Sequence, residues 1–246
     1  MSGANNQEIG MRRSERRQLR AARAERRAAT PLAGAVAGIL FALLFSLSVA
    51  LLESSMSDLP HDTGSWLATS VGRLKLAIAL IPFAGLFFLW FIAVARERLG
   101  RFEDQFFATV FLGSGLLFLA MIFAAAAAAG AIAATYASAP SSFSTSITYI
   151  YARHMVAQIF NVYALRMAAV FLISQATLWL RTGVMPRWMA LPTYGVALVL
   201  LFVVSQSTWV VLIFPAWVLV VSVYILVVNL TQADATRLEE EEDKAP

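Results

Sequence analysis

Charge in this chain gathers into a few short clusters, and the stretches between them stay apolar for lengths that a water-soluble fold does not use. No charged side chain occurs from Leu32 to Leu52, from Gln105 to Ala152, or from Trp188 to Ala233. A helix needs about 20 predominantly apolar residues to cross a hydrocarbon core ~30 Å thick. Composition agrees, with 59% hydrophobic and 14% charged residues against roughly 45–50% and 25% in soluble domains. At ~20 residues per span, the 246 residues suffice for one six-helix bundle and its connections. The expected class is an all-α integral membrane protein with six transmembrane helices.

Residues 1–30 read as a basic tail, 31–230 as the bundle and 231–246 as an acidic tail. Thr30 and Pro31 form an N-cap and first-position pair that opens a span over Leu32–Leu52. That run exceeds the ~7–15 residues of a signal-peptide core, so it is expected to remain as a helix. The second helix begins at Trp66, has its core from Leu76 to Ala95, and contains Pro82, which should kink it. The third runs from Phe106 past the alanines ending at Ala129. The fourth, Ile147 to Leu180, is longer than one crossing, so its first two turns should stand outside. Gly183 and Pro186 are stop and start signals before a short fifth span, Trp188 to Val204. The sixth covers Trp209 to Asn229, and the acidic run Glu239 to Asp243 is expected to be disordered. The two halves lack matching interruptions, so no inverted repeat is indicated.

Lys and Arg set the orientation. With the N-terminus cytoplasmic, fifteen of the nineteen basic residues fall inside: eight in the tail, then Arg96, Arg98, Arg101, Arg181, Arg187, Arg237 and Lys244. Arg73, Lys75 and Arg153 fall outside, and Arg166 lies within a span. The positive-inside rule therefore places both termini in the cytoplasm. Trp66 and Trp209 would mark the outer interface, and Trp90, Trp179 and Trp188 the inner one.

The chemistry-bearing residues are few. With no cysteine and only His61 and His154, disulfides, thiolate sites and multi-histidine metal sites are excluded. There is no Walker A sequence and no HExxH motif. Gly113-Ser114-Gly115 resembles the serine environment of rhomboid-type intramembrane proteases, but Leu112 breaks the Gly-x-Ser-Gly pattern. No histidine base follows within a span, and a serine without a base is not a nucleophile. No catalytic residue, metal site or cofactor is expected.

Three features remain. Arg12, Arg13, Arg16, Arg17, Arg20, Arg23, Arg26 and Arg27 make a basic helix suited to anionic lipid, each worth ~1 kcal/mol near such a surface; nothing accompanies them that would suit nucleic acid. Gly34 and Gly38 form a small-xxx-small pair for close helix packing, within one bundle or across a homo-oligomer. In helix four, Tyr151, His154, Gln158 and Asn161 share a face at spacings of 3, 4 and 3. Arg166 lies ~80° around from Gln158 at 3.6 residues per turn, with no acidic partner in any span. At ~1.5 Å per residue it stands roughly 21 Å above Leu180. A charge at that depth is either a functional group or one that leans to the outer surface.

The stretch from Asn161 to Trp188, NVYALRMAAVFLISQATLWLRTGVMPRW, resembles a segment of uncharacterised multi-pass membrane proteins of actinobacteria. The resemblance implies a bacterial plasma membrane and no particular activity, and it contributes no site residues. The function expected from the residues is a non-enzymatic accessory or scaffold component that works with anionic lipid or a membrane-protein partner. The alternative is a small transporter or permease-like protein, with helix four presenting an outward-facing polar site to an anionic or lipid-like ligand.

Overall fold

The computed structural model describes residues 32–52, 54, 66–99, 105–138, 147–203 and 208–242, with the backbone alone at 66–70, 98, 99, 105, 208, 209 and 232–242. The arginine tail, Thr30 and Pro31, the loop after Leu52, the charged turn at 100–104, the loop at 139–146 and the turn at 204–207 lie outside the described residues.

The described residues form six helices: α1 (Leu32–Leu52), α2 (Trp66–Leu99), α3 (Gln105–Ser138), α4 (Ile147–Thr182), α5 (Arg187–Phe202) and α6 (Thr208–Glu242). There is no strand among the described residues. Five of the six hold apolar stretches long enough to cross a membrane, whereas α5 has 16 residues. At 1.5 Å per residue that is about 24 Å, short of a ~30 Å hydrocarbon core. The described residues are helical throughout apart from short turns, and they have the build of a multi-pass membrane protein.

Local sequence explains the helix boundaries. Gly183 takes φ +66° as the left-handed C-cap of α4 and donates its N–H to Trp179 O at 3.0 Å. A side chain would be strained in that conformation. Pro186 is extended (ψ 147°) as the N-cap of α5, and its carbonyl accepts from Met189 N at 2.9 Å. The expected stop and start are therefore both present. α2 is one helix through Pro82 and α6 through Pro215. The apolar stretch of α6 is Val210–Thr231, close to the expected sixth span. One expectation is corrected: the acidic run does not begin as a disordered tail, and the helix continues to Glu242. The Ala, Leu, Arg and Glu residues of 233–242 are good helix formers and prolong a helix already nucleated by its span.

Phenylalanines from five helices fill the centre. Phe41 of α1 lies 4.6 Å from Phe88 of α2, 6.5 Å from Phe118 of α3 and 6.0 Å from Phe214 of α6, centroid to centroid. Phe45, also of α1, stacks on Phe160 of α4 at 6.0 Å, and Phe171 stacks on Phe111 at 4.6 Å. All are at most 7% exposed. α1, flanked by α2, α3, α4 and α6, is thus the helix around which the core is built. α5 is tied to its neighbours by polar contacts. Thr177 and Tyr194 hydroxyls meet at 2.7 Å, and Trp217 Nε1 donates to Thr193 Oγ1 at 3.1 Å.

The alanine-rich part of α3 packs closely, as its small side chains predict: Ala125, Ala126, Ala129 and Ala133 are buried. Gly34 and Gly38 are used inside the bundle. A side chain at Gly34 would strike Val94 of α2, and one at Gly38 would overlap Ser222 Oγ of α6 and Phe91 of α2. At the end carrying Arg96, Arg181 and Arg187, here the basic end, Trp90 and Trp188 are 56% and 60% exposed. Trp179 departs from the expected belt. It is 5% exposed and faces a small internal cavity that Gly34, Val184 and Met185 also line.

Candidate functional site

Uniform α-helical spacing does not hold along α4. Residues Ile159–Ala164 form a π-helical turn between the α-helical parts Ile147–Gln158 and Leu165–Thr182. The wider i→i+5 turn sets all later residues back by about one position, roughly 100° at 3.6 residues per turn. Burial records the shift. Counting seven, eleven and fourteen residues on from exposed Gln158 would put Leu165, Ala169 and Leu172 on its face. Those three are 3%, 0% and 0% exposed, while Arg166, Val170, Ile173 and Thr177 are partly exposed instead. Arg166 is thereby carried towards the line of Gln158, in place of the ~80° offset that uniform spacing gives.

The five helix-four candidates therefore lie along one outward line. Tyr151, His154 and Gln158 are exposed, Asn161 and Arg166 half-buried. Apolar and aromatic neighbours interleave with them: Ile150 is 52%, Met155 44% and Tyr163 57% exposed. Arg166 Nη1 donates to Val162 O at 3.0 Å, and that carbonyl also accepts the Leu165 N–H. The guanidinium thus folds back towards the helix N-terminus, as helical side chains do, and helps close the π-turn where it rejoins the α-helix. Asn161 also has an interaction of its own.

Ser114, singled out beside two glycines, is 5% exposed and donates back to its own helix, to Val110 O at 2.7 Å and Phe111 O at 3.2 Å. Such back-bonding is the usual state of a serine in an apolar helix, and the site offers it no base. Among the described residues no group of three or more His, Asp or Glu comes together in a way that could hold a metal.

Two sites had no signal in the sequence. A cavity of about 40 Å³ near the basic end is lined by Gly34, Phe91, Gln175, Trp179 and Met185 among others. Gln175 is 3% exposed, and the cavity it lines has room for about three waters at ~10–15 Å³ each. At the other end Arg153, itself engaged in an interaction, lines a narrow void with Tyr149, Leu74 and Ala129. A glutamine or arginine on a single helix cannot announce which neighbours close around it, so neither site was legible.

No family model, curated protein or solved structure matches the chain.

Proposed function

We propose that the chain is a six-span protein of a bacterial plasma membrane, with both termini cytoplasmic. In this reading it serves without catalysis as an accessory or scaffold component of a membrane complex. The basic end is then the cytoplasmic end, and α5 crosses a locally thinned or tilted region. The arginine tail holds anionic lipid of the inner leaflet, and the outward line of α4 receives a membrane-protein partner.

The observation that carries this reading is the exposure of that line. Polar side chains within a span ordinarily face the bundle interior. Here Asn161 and Arg166 are only half-buried, and the exposed Tyr151, Tyr163 and Met155 alternate with His154 and Gln158. Aromatic residues, Met and Arg are the types enriched at protein interfaces. Gln158 stands roughly 33 Å above Leu180 at 1.5 Å per residue, the far edge of a ~30 Å core. The line therefore begins within the hydrocarbon, where a charged guanidinium is costly, and continues past its edge. The phenylalanine core supports a contact on the outside of the bundle better than a permeation path through it.

Site-specific photocrosslinking tests the proposal. Benzoylphenylalanine at Tyr151 and at Tyr163 should each give discrete adducts in intact membranes, while the same probe at Leu198, 51% exposed on α5, should not. An adduct of twice the chain's mass would identify the partner as a second copy. Absence of discrete adducts at 151 and 163, or the same pattern at 198, would overturn the partner reading.

A further inference from the structure

A groove of about 720 Å³ opens between α2 and α3 at the basic end. Its walls are Leu86, Leu89 and Ala93 of α2 and Leu112 of α3, and its rim carries Arg96 and Glu97. Leu86, Leu89, Ala93 and Glu97 recur at spacings of 3, 4 and 4, so one helix face runs the length of the groove. From Leu86 to Arg96 is about 15 Å at 1.5 Å per residue, half of a ~30 Å hydrocarbon core. The apolar part is therefore one leaflet deep, with its charged rim at the water edge. Trp90, 56% exposed, stands beside it, a residue type that favours the headgroup level.

The rim has both signs of charge. Arg96 and Glu97 are exposed, and neither has a hydrogen-bond or ion-pair partner among the described residues. Adjacent residues on a helix do not face each other, so the two charges flank the mouth without neutralising one another. An anionic headgroup would satisfy Arg96 and be repelled by Glu97. A headgroup with a phosphate and a primary ammonium satisfies both: the guanidinium donates to the phosphate, and the ammonium donates to the carboxylate. We propose that this groove binds a glycerophospholipid with such a phosphoammonium headgroup, one acyl chain lying against Leu86, Leu89, Ala93 and Leu112. The proposal rests on the membrane reading above. It names a site and a lipid class distinct from those of the arginine tail.

The full chain, in nanodiscs of equimolar phosphatidylethanolamine, phosphatidylcholine and phosphatidylglycerol, can be mildly delipidated and its retained lipid quantified. Phosphatidylethanolamine should be retained over phosphatidylcholine by about three- to tenfold, the worth of one charge-assisted hydrogen bond at a half-wet site. Glu97→Gln should abolish that preference, Arg96→Met should lower retention of every phospholipid, and Ala93→Trp should displace the lipid by filling the wall. Thermal unfolding of each variant reports that the bundle is intact; these positions are exposed, so it should be. Preference for phosphatidylglycerol, no preference, or retention unchanged in all three variants would overturn the proposal. Alkaline carbonate extraction of cell membranes tests the underlying reading separately: release of the chain without detergent would overturn the membrane assignment itself.

Discussion

Ser222 Oγ stands where the side chain of Gly38 would be, so the crossing of α1 and α6 is set by a hydroxyl against a bare backbone. Ser222 is 0% exposed, and its hydroxyl has no hydrogen-bond partner among the described residues. Its near neighbour is the Cα–H of Gly38, a weak donor at best. Phe91 closes the same point from α2. The Gly34 and Gly38 pair, which the sequence left open between packing in one chain and packing between chains, is thus spent inside the bundle.

Gly38→Ala should therefore cost about 1–3 kcal/mol, as overpacking does. Ser222→Ala should hold or raise stability, because it removes a buried hydroxyl that bonds to nothing. In the double variant the smaller alanine at 222 should recover part of the loss, so the two effects should not add. Unfolding in detergent measures all three. A Gly38→Ala variant as stable as the parent, with strict additivity, would mean that the crossing is looser than described.

The sequence carried the helices well, because a bilayer demands long apolar runs and Gly183 and Pro186 punctuate them with backbone constraints that local sequence expresses. It failed where the signal was tertiary. The π-turn at Ile159–Ala164 has no marker in IFNVYA, so Arg166 was set ~80° from Gln158 on an assumed 3.6-residue period. Residue type and depth point Trp179 to a lipid interface, whereas the fold buries it to 5% exposure on the wall of an internal cavity. The cavity beside Gln175 is closed by residues from several helices, which no single-helix pattern reveals.

The π-turn yields a prediction of its own. If it holds about one residue more than an α-helix needs, deleting Tyr163 should convert it to α-helix and leave the rest of α4 in place. The same deletion at Ile173, in the regular part, should rotate Gln175 and Trp179 out of the core by roughly 100°. The Tyr163 deletion should therefore express and unfold near the parent temperature, and the Ile173 deletion should fail to accumulate. Equal damage from both would show that the turn is not a one-residue accommodation.

Orientation is open to direct labelling, since single cysteines can be introduced into a chain that has none. Cysteines at Ser57 and Ser141 should react with an impermeant maleimide on intact cells, and one at Ser14 should react only after lysis. Labelling at Ser14 with none at Ser57 would invert the proposed topology.

The arginine tail should act by charge. A peptide of residues 8–29 should bind anionic vesicles, and binding should fade as salt shortens the Debye length from ~10 Å at 0.1 M towards ~3 Å at 1 M. Binding to neutral vesicles with equal strength and no salt dependence would remove the electrostatic account.

Arg166 separates a structural role from a contact role. Its bond to Val162 O at 3.0 Å is local to α4, so losing it should cost about 1.5–3 kcal/mol as a charge-assisted bond. Removing a charge from within the span returns at most about 2.5–3.5 kcal/mol, the insertion-scale cost at a helix centre. The two nearly cancel, and Arg166→Met should unfold within about 1 kcal/mol of the parent, equal or slightly more stable. Partner capture at Tyr163 should respond differently. If the guanidinium reaches a partner, Arg166→Met should lose the crosslink while the fold holds, and Arg166→Lys should recover it only in part, since lysine lacks the planar fork. Unchanged stability with an unchanged crosslink would confine Arg166 to closing the π-turn and move the contact to Tyr151, His154 and Gln158. A loss of stability beyond about 3 kcal/mol would mean that the guanidinium holds more of α4 together than one carbonyl bond explains.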